Sequence, residues 1–126
     1  MTSTQNSVRT ETKNINTKPD ETRKFDKGKI EIATVGGSAI GRFTLEPGWK
    51  WSTSVKPLVK TDSCQQQHTG YIISGRMKVK MNDGTETEAG PGDVLSVPPG
   101  HDAWIVGNEP CVGIDFTGAK TYAQGR

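Results

Sequence analysis

A chain of 126 residues has room for one compact domain of the common size, roughly 100–150 residues. Its apolar share is 31% and its formal charge +2, with both signs interspersed. That excludes the basic field of a nucleic-acid binder, and no apolar run approaches the ~20 residues of a membrane span. Cys64 and Cys111 are too few for a disulfide framework, and the N-terminus lacks the apolar run of a secretory signal. A reducing cytoplasm is the expected setting, with a single Cys64–Cys111 bridge left open.

Residues 1–24 are rich in Thr, Asn, Ser, Gln and Lys, and Val8 and Ile15 are almost their only large apolar side chains. Such a composition does not offset the ordering cost of roughly 1–2 kcal/mol per residue. A disordered tail is expected, or an arm that orders on a partner subunit. Order is expected from near Phe25, with a barrel over residues 25–118 and a second tail over 119–126. Ile30 to Val35 alternates as a strand does, Gly36-Gly37 turns the chain, and Ala39 to Leu45 runs back. Trp49 to Ser54 alternates aromatic and polar residues and is read as a strand stopped before Pro57. Gly70 to Ser74 is another. Met77 to Met81 is the clearest alternation, apolar on odd positions and Lys on even ones, and Asn82-Asp83-Gly84 turns it into Glu86 to Ala89. Val94 to Val97, Trp104 to Val106 and Val112 to Phe116 complete the set. Pro98-Pro99-Gly100 stops the ladder, since proline has no N–H to donate. Many short strands with turn signals between them, and no sustained helical period, mean an all-β sandwich or barrel.

The glycine and proline frame resembles the cupins, small antiparallel β-barrels of the jelly-roll type. Gly92, Pro98 and Gly100 match the spacing of that family's second motif, and Gly75 resembles the closing glycine of its first. The resemblance spans about Phe25 to Gly118 and is closest to the small single-domain, cupin-2-like members. Its usual three-histidine, one-glutamate metal set is altered here. Counted back from Gly75, the glutamate position carries His68, the second histidine position Cys64 and the first Asp62; a longer spacer puts the histidine positions on Ser63 and Thr61. In the second motif the histidine and asparagine positions carry Ala103 and Gly107, with His101 two residues early.

Asp62, Cys64, His68 and His101 are therefore the candidate metal ligands at the barrel mouth, and Cys64, His68 and His101 the candidate catalytic groups. A thiolate with two neutral imidazoles and a carboxylate suits a divalent metal, zinc before iron or manganese. Two other readings stay open: Cys64 as a small buried hydrophobe with satisfied histidines and no metal, and Cys64 as a nucleophile activated by a nearby imidazole. Trp51, Tyr71 and Trp104 are candidate ligand contacts, with core filling as the alternative for each. Asp102 beside His101 is a weak candidate for orienting that ring. The expected function is a small-molecule cupin of lyase, isomerase or hydrolase type rather than a dioxygenase. The alternative is a non-catalytic ligand-binding or sensing module. A homodimer is expected, because a small sheet leaves edges that need cover.

Overall fold

The computed structural model describes residues 9–124. Nine strands form its framework: β1 (Glu21–Phe25), β2 (Gly28–Val35), β3 (Ser38–Leu45), β4 (His68–Ser74), β5 (Arg76–Met81), β6 (Glu86–Ala89), β7 (Val94–Val97), β8 (His101–Val106) and β9 (Cys111–Asp115). All pairings are antiparallel. They form a six-stranded sheet in the order β1-β2-β3-β9-β4-β7 and a three-stranded sheet in the order β6-β5-β8. The two sheets face each other as a jelly-roll sandwich, with Ile30, Ile32, Leu45, Ile72, Val79 and Ile105 in the core between them. Strand parity explains this. In β5, Met77 and Val79 are buried while Lys80 is exposed, as the alternation requires. Gly75 lets β4 turn into β5 with φ +77°, and a Cβ there would lie 2.2 Å from the Pro110 carbonyl oxygen.

Order begins ahead of Phe25. Glu21 to Lys24 form most of β1, because their backbone pairs with β2 in register from Glu21–Ile32 to Phe25–Gly28. Before β1, polar tethers replace apolar packing. Lys13 Nζ donates to Asp20 at 2.8 Å, the Thr34 N–H donates to Asp20 Oδ2 at 2.7 Å, and the Gly36 N–H donates to Glu11 at 3.1 Å. The tail expectation for residues 1–8 lies outside the described residues.

In place of the expected strand at Trp49 to Ser54, the chain forms a one-turn helix, α1 (Trp51–Ser54), and a second follows it, α2 (Lys56–Val59). Trp51, Val55 and Val59 recur every four residues and turn one face inward, with Val55 at 0% exposure. Pro57 falls in the first turn of α2, where its missing N–H is not needed. Asp102 Oδ1 accepts from the Ser52 N–H at 3.1 Å and so caps α1; it does not orient His101. At the C-terminus, Ala119–Thr121 form a 3-10 turn, and Tyr122 behind it is buried. No helix among the described residues is long and apolar enough to cross a membrane.

Candidate metal centre

One end of the sandwich gathers the chemistry. His68 opens β4, His101 opens β8 and Asp115 closes β9, while Cys64 lies in the connection ahead of β4. Cys64 is held there by its backbone. Its N–H donates to the His101 carbonyl at 2.7 Å, and its own carbonyl accepts from the Gly100 N–H at 2.7 Å. Gly100 supplies the turn for this exchange with φ +94°. The bridge carries the chain across to the smaller sheet and buries Cys64 to 2% exposure.

Cys64, His68 and His101 each bring one ligand atom to within 4.8 Å of the others. Cys64 Sγ lies 3.7 Å from His68 Nε2. His68 Nδ1 lies 2.8 Å from Asp115 Oδ2, and His101 Nδ1 lies 2.7 Å from the Pro98 carbonyl. A carbonyl oxygen only accepts, so His101 carries its proton on Nδ1, and a carboxylate sets the same tautomer at His68. Both rings therefore keep Nε2 as the ligand atom. The rings meet edge to face with centroids 5.4 Å apart.

These contacts move the ionisations. Burial pushes the Cys64 thiol up, but hydrogen bonds from His101 and His68 outweigh it and bring it down to about 6. Burial pushes His68 down, and the hydrogen bonds to Asp115 and Cys64 outweigh that in turn, raising it to about 9. Without a metal the pair is a thiolate facing an imidazolium. Cys111, by contrast, is pushed up to about 11, first by burial and then by the charge of Glu109. Both cysteines are free, which closes the question of a Cys64–Cys111 bridge.

Beside the centre lies a cavity of about 80 Å³ whose wall includes Ile30, Trp49, Trp51, Val79, His68 and His101. Tyr122 belongs to the same wall, its ring 5.5 Å from that of His68. Arg23 fastens the turn that carries Tyr122 by donating to the backbone oxygens of Tyr122 at 2.6 Å and of Lys120.

Three candidate residues stand elsewhere. Asp62 is exposed and outside the cluster, because residues 61–64 form a bend rather than the strand whose alternation would have put Asp62 and Cys64 on one face. Tyr71 is 39% exposed on the outer face of β4, one residue out of parity with Gly70 and Ile72. Trp104 alternates with the buried Ala103 and Ile105, so it faces outward, where Lys50 Nζ sits 5.3 Å from its ring. Trp51 does line the cavity. Asp115 and Tyr122 were not among the candidates. For Asp115 the signal was present: Cys111, Gly113 and Asp115 share the inward face of β9, so the strand ends on a buried carboxylate. Tyr122 lay in a stretch read as a tail.

A two-sheet antiparallel jelly roll with a Cys/His/His cluster at one end defines a class of small β-domain. The family described as "Cupin domain" matches residues 60–117. The chain carries a small cupin domain, and that match includes every member of the cluster. Solved structures agree on the fold. A protein of unknown function (DUF1255) from Acinetobacter sp. ADP1 superposes with TM-score 0.57 at 14% identity, over 77% of this chain and 89% of that one. KdgF from Halomonas sp. does so with TM-score 0.53 at 13% identity, over 75% and 82%. A mutant of Bacillus subtilis oxalate decarboxylase has TM-score 0.53 at 27% identity, over 81% of this chain but 28% of the enzyme. No curated protein matches the chain.

Proposed function

We propose that this cupin is a small-molecule enzyme with a divalent metal, zinc favoured, held by Cys64, His68 and His101. One observation carries the reading. Both imidazoles have Nδ1 committed, to Asp115 and to the Pro98 carbonyl, which leaves Nε2 of each as the ligand atom beside a thiol with a lowered pKa. Outer partners of this kind fix the tautomer of metal-binding histidines and raise their basicity. Three protein ligands suit a catalytic zinc site, which keeps a further position open. When bound, zinc supplies Lewis-acid chemistry, which fits a lyase, isomerase or hydrolase better than a dioxygenase. The protein's own part is to wall the site with Tyr122, to orient His68 through Asp115, and to offer the apolar cavity to the substrate.

Elemental analysis of protein purified without a histidine tag tests this. It should find one divalent ion per chain, absent from Cys64→Ala and His68→Ala. Metal-free protein that takes up no zinc on reconstitution sinks the metal reading. It would leave Cys64 as a nucleophile paired with His68 and Asp115, a second reading that the thiolate–imidazolium pair supports.

The free, buried cysteines suit a reducing compartment. We also infer a homodimer through the outer face of β4, β7 and β9. Val94, Tyr71 and Ile114 stand in one row across those strands, with Val94 74% exposed and Phe116 51% exposed nearby. β7 is the edge of its sheet, and a second copy brings the same strand to meet it. Light scattering after size exclusion should give a dimer for the native chain and a monomer for Val94→Lys; a native monomer overturns this assignment.

A further inference from the structure

We propose that Ser63 and Asn82 are positioning residues for the metal centre: they clamp Cys64 against the turn that carries His101, without being ligands themselves. This rests on reading Cys64, His68 and His101 as metal ligands. Cys64 needs such help more than the two histidines do. His68 and His101 each open a strand, whereas Cys64 follows a bend and joins the small sheet through one isolated bridge to His101. A single bridge leaves the chain ahead of it free to swing. A sulfur displaced by about an ångström no longer completes the site.

Four hydrogen bonds converge on Ser63, the residue before Cys64. Thr61 Oγ1 donates to its carbonyl at 2.8 Å, and Gln65 Nε2 donates to the same carbonyl at 3.2 Å and to its hydroxyl at 2.9 Å. These three are local and shape the bend. The fourth comes from the turn after β5, where Asn82 Nδ2 donates to Ser63 Oγ at 3.2 Å. Ser63 is 6% exposed, so its hydroxyl is a buried acceptor that the two amides satisfy. Asn82 also reaches the other ligand segment. Its backbone N–H donates to the Gly100 carbonyl at 2.9 Å, and a Cβ on Gly100 would lie 3.0 Å from Asn82 Nδ2. Gly100 precedes His101 as Ser63 precedes Cys64. The bonds close a ring: Asn82 to Gly100, the Gly100 N–H to the Cys64 carbonyl, and Ser63 back to Asn82. Breaking the ring at the Ser63 hydroxyl leaves Cys64 on its bridge alone. Binding an ion must then order the sulfur again, so affinity falls by about the worth of the lost bond.

Zinc affinity of the full chain, measured by competition with a chelator, tests this. Asn82→Ala should bind zinc about fivefold more weakly, the worth of one hydrogen bond, and Ser63→Ala at least as weakly, since it loses the Gln65 bond to the hydroxyl as well. Adding Asn82→Ala to Ser63→Ala should cost nothing more, because the bond between them is already gone. Asp83→Ala is the control. It breaks the bonds of Asp83 to Thr85 in the same turn and leaves Ser63 alone, so zinc affinity should stay at the native value whatever happens to stability. A second readout needs no metal. In metal-free protein, alkylation of Cys64 should require a higher pH in Ser63→Ala and Asn82→Ala than in the native chain, because a thiol that drifts from the imidazoles loses what favours its thiolate. Native zinc affinity in both variants, a double variant that loses both factors multiplied, an equal loss in Asp83→Ala, or an unshifted alkylation profile overturns the inference. If Ser63→Ala does not fold, Asn82→Ala, at an exposed position, decides against Asp83→Ala. Protein that takes up no zinc, with an alkylation profile that shifts in the variants, defeats the metal reading alone; zinc held as tightly by both variants as by the native chain defeats this inference alone.

Discussion

Asp115 does for His68 what the Pro98 carbonyl does for His101, but with a charge. That difference makes Asp115 the most informative single residue to change. In Asp115→Asn the ring keeps a hydrogen-bond partner and loses the anion that favours its charged form. Zinc affinity should drop about 10–100-fold, as it does when such outer partners are removed, measured by competition with a chelator; unchanged affinity would argue that Asp115 only packs. The metal-free pair has a pH signature of its own. His68 is raised from 6.5 to about 9, so its contribution to stability is complete below 6.5 and is lost as pH rises through about 9. Cys64 is lowered from 9.0 to about 6, so its contribution is complete above 9 and is lost as pH falls through about 6. Between those limits the two slopes oppose each other. Thermal melts of metal-free protein should show little change from this pair between pH 6 and 9. Cys64→Ser removes one slope, so its melting temperature, relative to the native chain, should fall as pH rises above 6.5. Parallel profiles for the two proteins would mean that no proton has moved from thiol to ring.

At the scale of elements, Gly75 is the least replaceable turn residue. Alanine there is strained by the left-handed backbone, at about 1–3 kcal/mol for that alone, and its Cβ would also meet the backbone of Pro110 and Cys111. Gly75→Ala should unfold at markedly lower denaturant, whereas Gly84→Ala, with open space around it, should pay only the backbone strain. Strands such as β5 were legible in the sequence, because burial on one face imposes a period of two and glycine or proline ends each run. The stretch from Trp49 to Ser54 misled because alternating Trp and polar residues satisfy that period over a few positions, while the burial that decides the matter recurs at Trp51 and Val55, with Val59 half-buried one turn on. Site residues followed the same division. Cys64, His68 and His101 stood out because their types are rare in this chain. Tyr71 and Trp104 were misplaced by one step of strand parity, and Asp62 by a bend. Tyr122 could not be placed from sequence at all, since what orders it is a contact from Arg23 at the far end of the chain.

For the molecule as a whole, that contact joins the first strand to the last turn beside the site. Arg23 is itself paired with Glu21, which keeps the guanidinium aimed at the turn. Arg23→Ala should release the Tyr122 turn without dismantling either sheet. Metal-free Arg23→Ala protein should then react faster with a thiol reagent at Cys64, with Cys111 still slow because its thiol is pushed up to about 11. Equal rates for variant and native chain would show that the tie does not restrain access to Cys64. The bridge between Cys64 and His101 has a mechanical consequence as well. Its backbone bonds fasten the connection ahead of β4 to β8 of the small sheet, at the same place where Cys64, His68 and His101 converge, so an ion seated there would act as a rivet through the seam. Chelation should therefore leave a protein that a protease nicks between Thr61 and Gln67 well before the strands themselves give way.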